Sequence, residues 1–242
     1  MIPLRDRNPT SRTPVVTLAL ILACFAAFGL ELWISLSGGD DALNRFFLAW
    51  GAVPSRITAA LDAHDYLSQA LLGTVTSQFL HAGWLHIIGN LLFLWIFGNN
   101  VEDRLGRVPF LAFYLLGGIA AALSQVWIDP TSGAPLVGAS GAIAAVLGVY
   151  LVLWPGARIL SLVFLGFFYQ LLEIPALVVL GYWFVLQLIS GIGALGAATA
   201  DSGVAFFAHI GGFVAGAAVG LVVRVVGLGR GLAMRPTGGP MG

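Results

Sequence analysis

Two residues with catalytic potential stand in otherwise apolar segments of the chain. Ser140 lies between glycines in the stretch LVGASGAIAAVLG, and His209 precedes the glycine-rich stretch IGGFVAGAAVG. A serine hydroxyl is a poor nucleophile until a base removes its proton, and an imidazole can act as that base and later protonate a leaving amine. If the fold brings Ser140 to His209, the pair could therefore catalyse acyl transfer.

Acyl transfer also needs hydrogen-bond donors around the oxygen that develops negative charge. His86 and Asn90 are four residues apart, so they share one face of a helix. The backbone N–H of Ser140 lies near the start of a helix, where the helix dipole favours an anion. We therefore predict an oxyanion hole formed by these three groups, and we assign His81, at another angle of the helix, a structural or water-organising role.

A metal centre is the competing use of His81, His86 and His209. The same helix halves contain no Asp, Glu or Cys that could complete a zinc or iron shell, and the HExxH motif is absent. We therefore predict no metal and no cofactor.

No carboxylate is evidently placed to orient the imidazole of His209. Asp129 and Asp201 fall in loops, and Glu173 falls at the start of a later apolar segment. Because the third member of a catalytic triad is missing from the pattern, we expect a Ser–His dyad.

Ser140 also has a purely structural interpretation, as a small residue that lets two helices approach closely. Small residues recur every four positions in two segments, as Ser140, Ala144 and Gly148 and as Gly212, Gly216 and Gly220. Such stripes are typical of membrane helices in close contact. The glycines that we expect to leave room near the site are Gly138, Gly141, Gly212 and Gly216. Close contact would also bring His209 to Ser140, so the two interpretations are compatible.

Composition defines the environment of these residues. Of 242 residues, 59% are hydrophobic and only 9% are charged, the mean hydropathy is +0.95 and the formal net charge is zero. The chain has too little polar surface for a soluble globule, and no basic run indicates a nucleic-acid partner. It is predicted to be a polytopic membrane protein in a lipid bilayer, with its one cysteine, Cys24, buried as a small apolar residue.

The hydrophobic segments predict an all-α bundle of six transmembrane helices, since each span needs roughly 20 apolar residues. The predicted spans are residues 14–36, 80–98, 108–127, 137–154, 173–193 and 203–226. The apolar stretch 156–172 is interrupted by Gly166 and followed by Pro175, so we expect an interfacial or re-entrant connection there. The long segment 37–79 mixes aromatic residues with charges and is expected to rest at the membrane interface.

The arginines predict the orientation of the bundle. With the N-terminus inside, nine of the 11 arginines fall on the inner side, as the positive-inside rule requires. This places both termini in the cytoplasm and the site near the outer face, and we expect a bacterial inner membrane with a retained first span. The predicted organisation is a cytoplasmic segment 1–13, a membrane domain 14–226 and a disordered tail 227–242.

Three motifs, in this order along the chain, resemble the rhomboid intramembrane serine proteases: HAGWLHIIGNLLFLWIFGNNVEDRLG, GASG and AHIGGFVAG. The resemblance implies Ser140 as nucleophile, His209 as general base, and His86, Asn90 and the Ser140 amide as the oxyanion hole. It also implies substrates that are single-span membrane proteins, cut near the outer end of their span.

The chain departs from the pattern of some rhomboid members at two places. Where they carry an aromatic residue against the catalytic imidazole, this chain has Ala144, so we expect Phe206, Phe207 or Phe213 to hold the ring. A Trp-Arg pair of the first loop is also absent. The main alternative function is a catalytically inactive rhomboid-like protein that binds membrane proteins. A transporter is disfavoured because the inner helix halves are almost wholly apolar.

Overall fold

The computed structural model describes residues 1–166, 168–196 and 205–228. Asp201 lies outside these residues, as does the predicted disordered tail apart from residues 227 and 228, which are helical. The helices are α1 (Val15–Trp50), α2 (Pro54–Asp62), α3 (Gln69–Thr76), α4 (Trp84–Phe93), α5 (Asn99–Leu105), α6 (Arg107–Ile128), α7 (Ser140–Leu153), α8 (Ala176–Gly196) and α9 (Phe206–Leu228). A 3-10 turn, Ser77–Phe79, follows α3, and a π-helical turn, Leu94–Gly98, joins α4 to α5.

The prediction of a helical polytopic membrane protein is confirmed. In the described ranges five helices are long and apolar enough to cross a membrane: Val15–Trp50, Trp84–Leu105, Arg107–Ile128, Ala176–Gly193 and Phe206–Gly227. The remaining predicted span, residues 137–154, corresponds to α7, which has only 14 residues. At 1.5 Å per residue α7 is about 21 Å long, shorter than a hydrocarbon core of about 30 Å, so one of its ends must lie below the membrane surface.

The first helix is longer than predicted. Instead of ending near residue 36, α1 runs to Trp50, with a break at Gly39, whose φ of 71° is outside the helical range. Two short helices, α2 and α3, then occupy much of the expected interfacial segment 37–79. This segment lies beside the strand-like stretch before α7, since Ala52 and Leu136 exchange two backbone hydrogen bonds of 3.0 and 2.8 Å.

The stretch 156–172 is part of a β-hairpin, which corrects the expectation of a re-entrant connection. Strands β2 (Arg158–Leu165) and β3 (Phe168–Pro175) pair antiparallel, and β1 (Ile2–Asp6), within the N-terminal segment, adds to β2. Gly166, at the turn, has a φ of 66°. The fifth span therefore begins at Ala176 rather than at residue 173, and Glu173 lies in β3, paired with Arg7 at 2.7 Å.

Buried polar contacts connect the sheet to the helices. The carboxylate of Asp6 accepts hydrogen bonds from Asn100 Nδ2 at 2.8 Å and from the Tyr150 hydroxyl at 2.9 Å. These contacts fix the sheet at one end of the bundle, where α7 ends and α8 begins. We call this the sheet end, and we call the opposite end, where α4, α7 and α9 begin, the dyad end.

Helix α7 forms the centre of the core. Every residue from Ala142 to Tyr150 is buried, and α7 packs most extensively against α9 and α6. A Cβ built on Gly216 would collide with the backbone of Ala145, and one on Gly212 with the carbonyl of Gly141. The two helices are therefore in backbone contact, and the α7 face includes the predicted Gly148 together with Gly141 and Ala145.

Candidate active site

Ser140 and His209 meet at the dyad end of the bundle. Ser140 is the first residue of α7 and His209 is the fourth of α9, and the distance from Ser140 Oγ to His209 Nε2 is 2.7 Å. This is a good hydrogen-bond length. The contact depends on Gly212 and Gly216 of α9, which let the two helix backbones approach closely. Only at this short distance can the imidazole of His209 reach the start of α7.

The short length of α7 determines where the serine lies. The chain leaves α6 at Ile128 and continues without helix until Ser140. Irregular backbone at membrane depth must find partners within the protein, and here Gly138 donates its N–H to the Ser77 carbonyl at 2.9 Å. The nucleophile candidate thus lies at a helix start whose first N–H groups are free for a ligand.

Gly138 is required at this position for two reasons. Its φ of 134° is in a region that residues with a side chain rarely adopt. A Cβ on Gly138 would also stand 2.7 Å from His86 Nε2 and 3.5 Å from Ser140 Oγ. His86 and Ser140 therefore border the same small space, which only a glycine leaves open.

Asn90 lies on α4 four residues after His86 and is buried. Its Nδ2 has no hydrogen-bond partner within the described residues. Because a buried amide without a partner costs roughly 1–3 kcal/mol, such a group calls for an explanation. Asn90 Nδ2 is therefore a buried donor that a ligand oxygen could occupy.

His81 packs against the His86 ring, and Glu31 in turn binds the backbone of His81. The His81 and His86 rings meet edge to face, with centroids 5.2 Å apart. The carboxylate of Glu31, on α1 and 2% exposed, accepts the backbone N–H of His81 at 3.0 Å. The sequence analysis had not identified Glu31, although an acidic residue inside an apolar span is a recognisable signal.

Helix α8 holds the other side of the His209 ring. The Nδ1 of His209 lies 2.8 Å from Gln187 Oε1, and the ring lies 5.9 Å from that of Trp183, centroid to centroid, at 41°. The expectation that Phe206, Phe207 or Phe213 holds the imidazole is therefore corrected. Phe213 instead packs against Trp183, at 6.1 Å between ring centroids. Neither α8 residue had been predicted, since only three-dimensional packing brings α8 to α9.

Other features of the described residues do not compete with this site. Among them, no group of three His, Cys, Asp or Glu side chains has a geometry that could hold a metal ion. Two surface cavities, of about 240 and 480 Å³, lie at the sheet end, where residues such as Asn100, Asp103 and Arg107 line them. The candidate site at the dyad end is therefore identified by the chemistry of its side chains and not by the size of a cavity.

Fold and site together define a polytopic helical membrane protein that holds a serine against a histidine inside its bundle. The sequence model of the Rhomboid domain matches residues 68–225, more than half of the chain. The chain therefore belongs to the rhomboid family, as its motifs had indicated.

Curated relatives match shorter parts of the chain. Rhomboid protein 1, mitochondrial, of Saccharomyces cerevisiae is 35% identical over 104 residues, which is 41% of this chain and 30% of that protein. Rhomboid-like protein 11, chloroplastic, of Arabidopsis thaliana is 37% identical over 97 residues, 39% of this chain and 34% of the relative. Rhomboid protease GlpG of Yersinia pestis is 29% identical over 138 residues, 57% of this chain and 43% of the relative. The matched region thus spans less than half the length of each of these relatives.

Proposed function

We propose that this protein is an intramembrane serine endopeptidase that cleaves transmembrane segments of membrane proteins. The observation that carries the proposal is the 2.7 Å contact between Ser140 Oγ and His209 Nε2 at the start of a buried helix. Membership of the rhomboid family and the similarity to a relative named a protease support it further.

In the proposed reaction His209 Nε2 takes the hydroxyl proton while Ser140 Oγ attacks the scissile carbonyl carbon. The tetrahedral intermediate then collapses, the C–N bond breaks, and the imidazolium of His209 gives its proton to the leaving amine. A water molecule, activated by the same imidazole, hydrolyses the acyl-enzyme and restores the serine. These reaction steps need no metal and no cofactor.

Three donors are proposed to bind the oxyanion: Asn90 Nδ2, the His86 ring and the Ser140 backbone N–H. The free Asn90 amide and the closeness of His86 to the space around Ser140 support this assignment. Preorganised donors stabilise charge most effectively where water is excluded, and removal of one typically costs about 10²–10³ in turnover.

The orientation in the membrane is also a proposal. Among the described residues, seven arginines lie toward the sheet end and two toward the dyad end: Arg5, Arg7, Arg12, Arg104, Arg107, Arg158 and Arg224, and Arg45 and Arg56. The positive-inside rule then places the sheet in the cytoplasm and the dyad near the outer face. The membrane domain is proposed to span 14–226. The bacterial inner membrane stays a prediction, because two of the relatives named above are mitochondrial and chloroplastic.

The test uses the full chain, purified and placed in liposomes with a reporter membrane protein. Wild type should cleave the reporter within its transmembrane segment, whereas Ser140→Ala and His209→Ala should each abolish cleavage. The matched control is Ser37→Ala, since Ser37 is an exposed serine of α1 that bonds only to its own helix. Substantial cleavage by either dyad variant would overturn the assignment.

Labelling with a fluorophosphonate separates this function from that of an inactive rhomboid-like binding protein. The reagent should form an adduct that maps to Ser140 in wild type and is lost in His209→Ala, because the serine is then no longer activated. Retention of a bound reporter without cleavage or labelling would favour the binding protein.

A further inference from the structure

Both ring nitrogens of His209 have a partner on another helix. Nε2 faces Ser140 Oγ of α7 at 2.7 Å, and Nδ1 faces Gln187 Oε1 of α8 at 2.8 Å. Gln187 is half-buried, and Trp183, one helical turn before it on the same face, lies beside the imidazole ring. The imidazole is therefore held between a nucleophile and an amide.

We propose that Gln187 is a positioning residue that fixes the tautomer and the direction of the His209 ring. A neutral imidazole carries one N–H, and the carbonyl oxygen of Gln187 can only accept. The Nδ1 of His209 therefore carries the hydrogen and donates it to Gln187 Oε1. Nε2 keeps its lone pair and accepts the hydroxyl hydrogen of Ser140, which is the arrangement that a general base requires.

The amide remains useful when His209 is protonated. After proton transfer from Ser140 both ring nitrogens carry hydrogen, and Gln187 Oε1 continues to accept from Nδ1. A hydrogen bond with one charged partner is roughly twice as strong as a neutral one, so the contact favours the imidazolium over the neutral ring. Gln187 thereby stabilises the protonated state through which the reaction passes.

A neutral amide also suits the position of Gln187 in the fold. On α8 the neighbouring residues Leu186 and Ile189 are exposed apolar side chains, as expected of a helix that faces lipid. A carboxylate on such a helix is costly, and a membrane helix with an ionised residue usually needs a compensating partner. An amide that offers its carbonyl end provides the acceptor without that charge.

The inference concerns the proposed Ser140–His209 reaction, but its first test does not depend on activity. Nitrogen NMR of the full chain with ¹⁵N-labelled histidine reports which ring nitrogen carries hydrogen, and the His209→Ala variant assigns the signal. We expect His209 as the Nδ1–H tautomer in wild type and a shift toward Nε2–H in Gln187→Leu. Wild type in the Nε2–H form, or a spectrum unchanged by Gln187→Leu, would overturn the proposal even in a protein that cleaves no substrate.

The second test is kinetic and uses the reporter in liposomes. Gln187→Leu should lower kcat on the order of 10- to 100-fold with little change in KM, because the residue acts in the chemical step. Gln187→Glu keeps the oxygen acceptor and should retain more of kcat than Gln187→Leu, although its charge is costly on this helix. Tyr182→Phe, which removes an exposed hydroxyl from the same helix, is the matched control and should behave as wild type. Equal losses in Gln187→Leu and Gln187→Glu, or an effect on KM alone, would count against the positioning role.

Discussion

Gly216 and Ala145 bring α9 and α7 into backbone contact, because the α-carbon of Gly216 lies against the carbonyl group of Ala145. A side chain at position 216 would have to push into fixed backbone and not into a flexible neighbour. The distance between the helices, and with it the reach of His209 to Ser140, therefore depends on this glycine.

Gly216→Ala should separate the two helices and weaken the protein. Alanine is intrinsically better than glycine in a helix by about 1 kcal/mol. A net loss of stability in this variant must therefore come from the steric clash with α7. We expect a loss of stability on the order of 1–3 kcal/mol, seen as a lower Tm in detergent, together with reduced cleavage. Gly29→Ala is the control, since Gly29 is exposed and has open space around it. A Tm for Gly216→Ala equal to that of the control would contradict the packing argument.

Gly138→Ala tests the space shared by His86 and Ser140. The new Cβ would stand 2.7 Å from His86 Nε2. The backbone φ at position 138 is also one that alanine disfavours. We expect a fall in kcat on the order of 10- to 1000-fold, as for loss of one oxyanion donor, while helical content is retained. Gly133→Ala, in the same loop but with open space where the new Cβ would stand, should keep wild-type turnover. Equal kcat in the two variants would show that His86 is not displaced.

Asn90→Ala removes the proposed side-chain donor from the oxyanion hole. Its effect should fall on kcat, on the order of 10- to 1000-fold, with KM little changed, because the oxyanion exists only in the transition state and the intermediate. Stability should not fall by the usual cost of a lost hydrogen bond, since Asn90 Nδ2 has no partner to lose. Asn99→Ala at the sheet end serves as the control. If Asn90→Ala changed KM alone, Asn90 would have a role in substrate binding and not in the oxyanion hole.

A site residue could be predicted from the sequence when its partner lies on the same helix or when a sequence pattern shows which two helices meet. His86 and Asn90 share a helix, so the helical period alone placed them on one face. Ser140 and His209 belong to different helices, but matching small-residue stripes indicated that these helices meet. Gln187 and Trp183 carry no such signal, since the contact of α8 with α9 follows from the packing of the whole bundle.

The β-hairpin was missed for a different reason. Strands are recognised by alternation of apolar and polar residues, but β2 and β3 carry apolar residues on both faces. Several of their side chains, among them Phe164, Phe168 and Tyr169, are exposed in the fold. Their few polar residues, such as Ser161 and Gln170, do not alternate with apolar ones, so the stretch is equally compatible with a membrane-associated segment.

Glu102→Ala should destabilise the first membrane helix at its start. The buried carboxylate of Glu102 accepts the backbone N–H groups of Val16 and Thr17, at 2.9 and 2.7 Å, and the Thr17 hydroxyl at 2.8 Å. It thus caps α1 from another helix, and its loss should cost on the order of 2–3 kcal/mol, measured by thermal unfolding in detergent. The adjacent Asp103 bonds only to the exposed Ser11, so Asp103→Ala should cost less than about 0.5 kcal/mol. Similar losses in both variants would refute the capping role.

Asp6 should make the stability of the sheet end depend on pH. Burial raises the pKa of this carboxyl above its ordinary value of 3.8, and it outweighs the hydrogen bonds from Tyr150 and Asn100, which act in the opposite sense. The folded protein therefore binds a proton here at a higher pH than the unfolded chain does. Ionisation of Asp6 disfavours the fold above the raised pKa, and this penalty is relieved as the pH falls through it.

Asp6→Asn removes this titration while it keeps an oxygen that can accept from Tyr150. We expect wild type to gain stability relative to Asp6→Asn as the pH is lowered from neutral to about 4, close to the ordinary carboxyl pKa. The measurement is the difference in Tm between the two proteins at each pH in the same detergent, which cancels the titration of all other groups. Tm curves that stay parallel over this range would show that Asp6 is ionised without penalty in the folded protein.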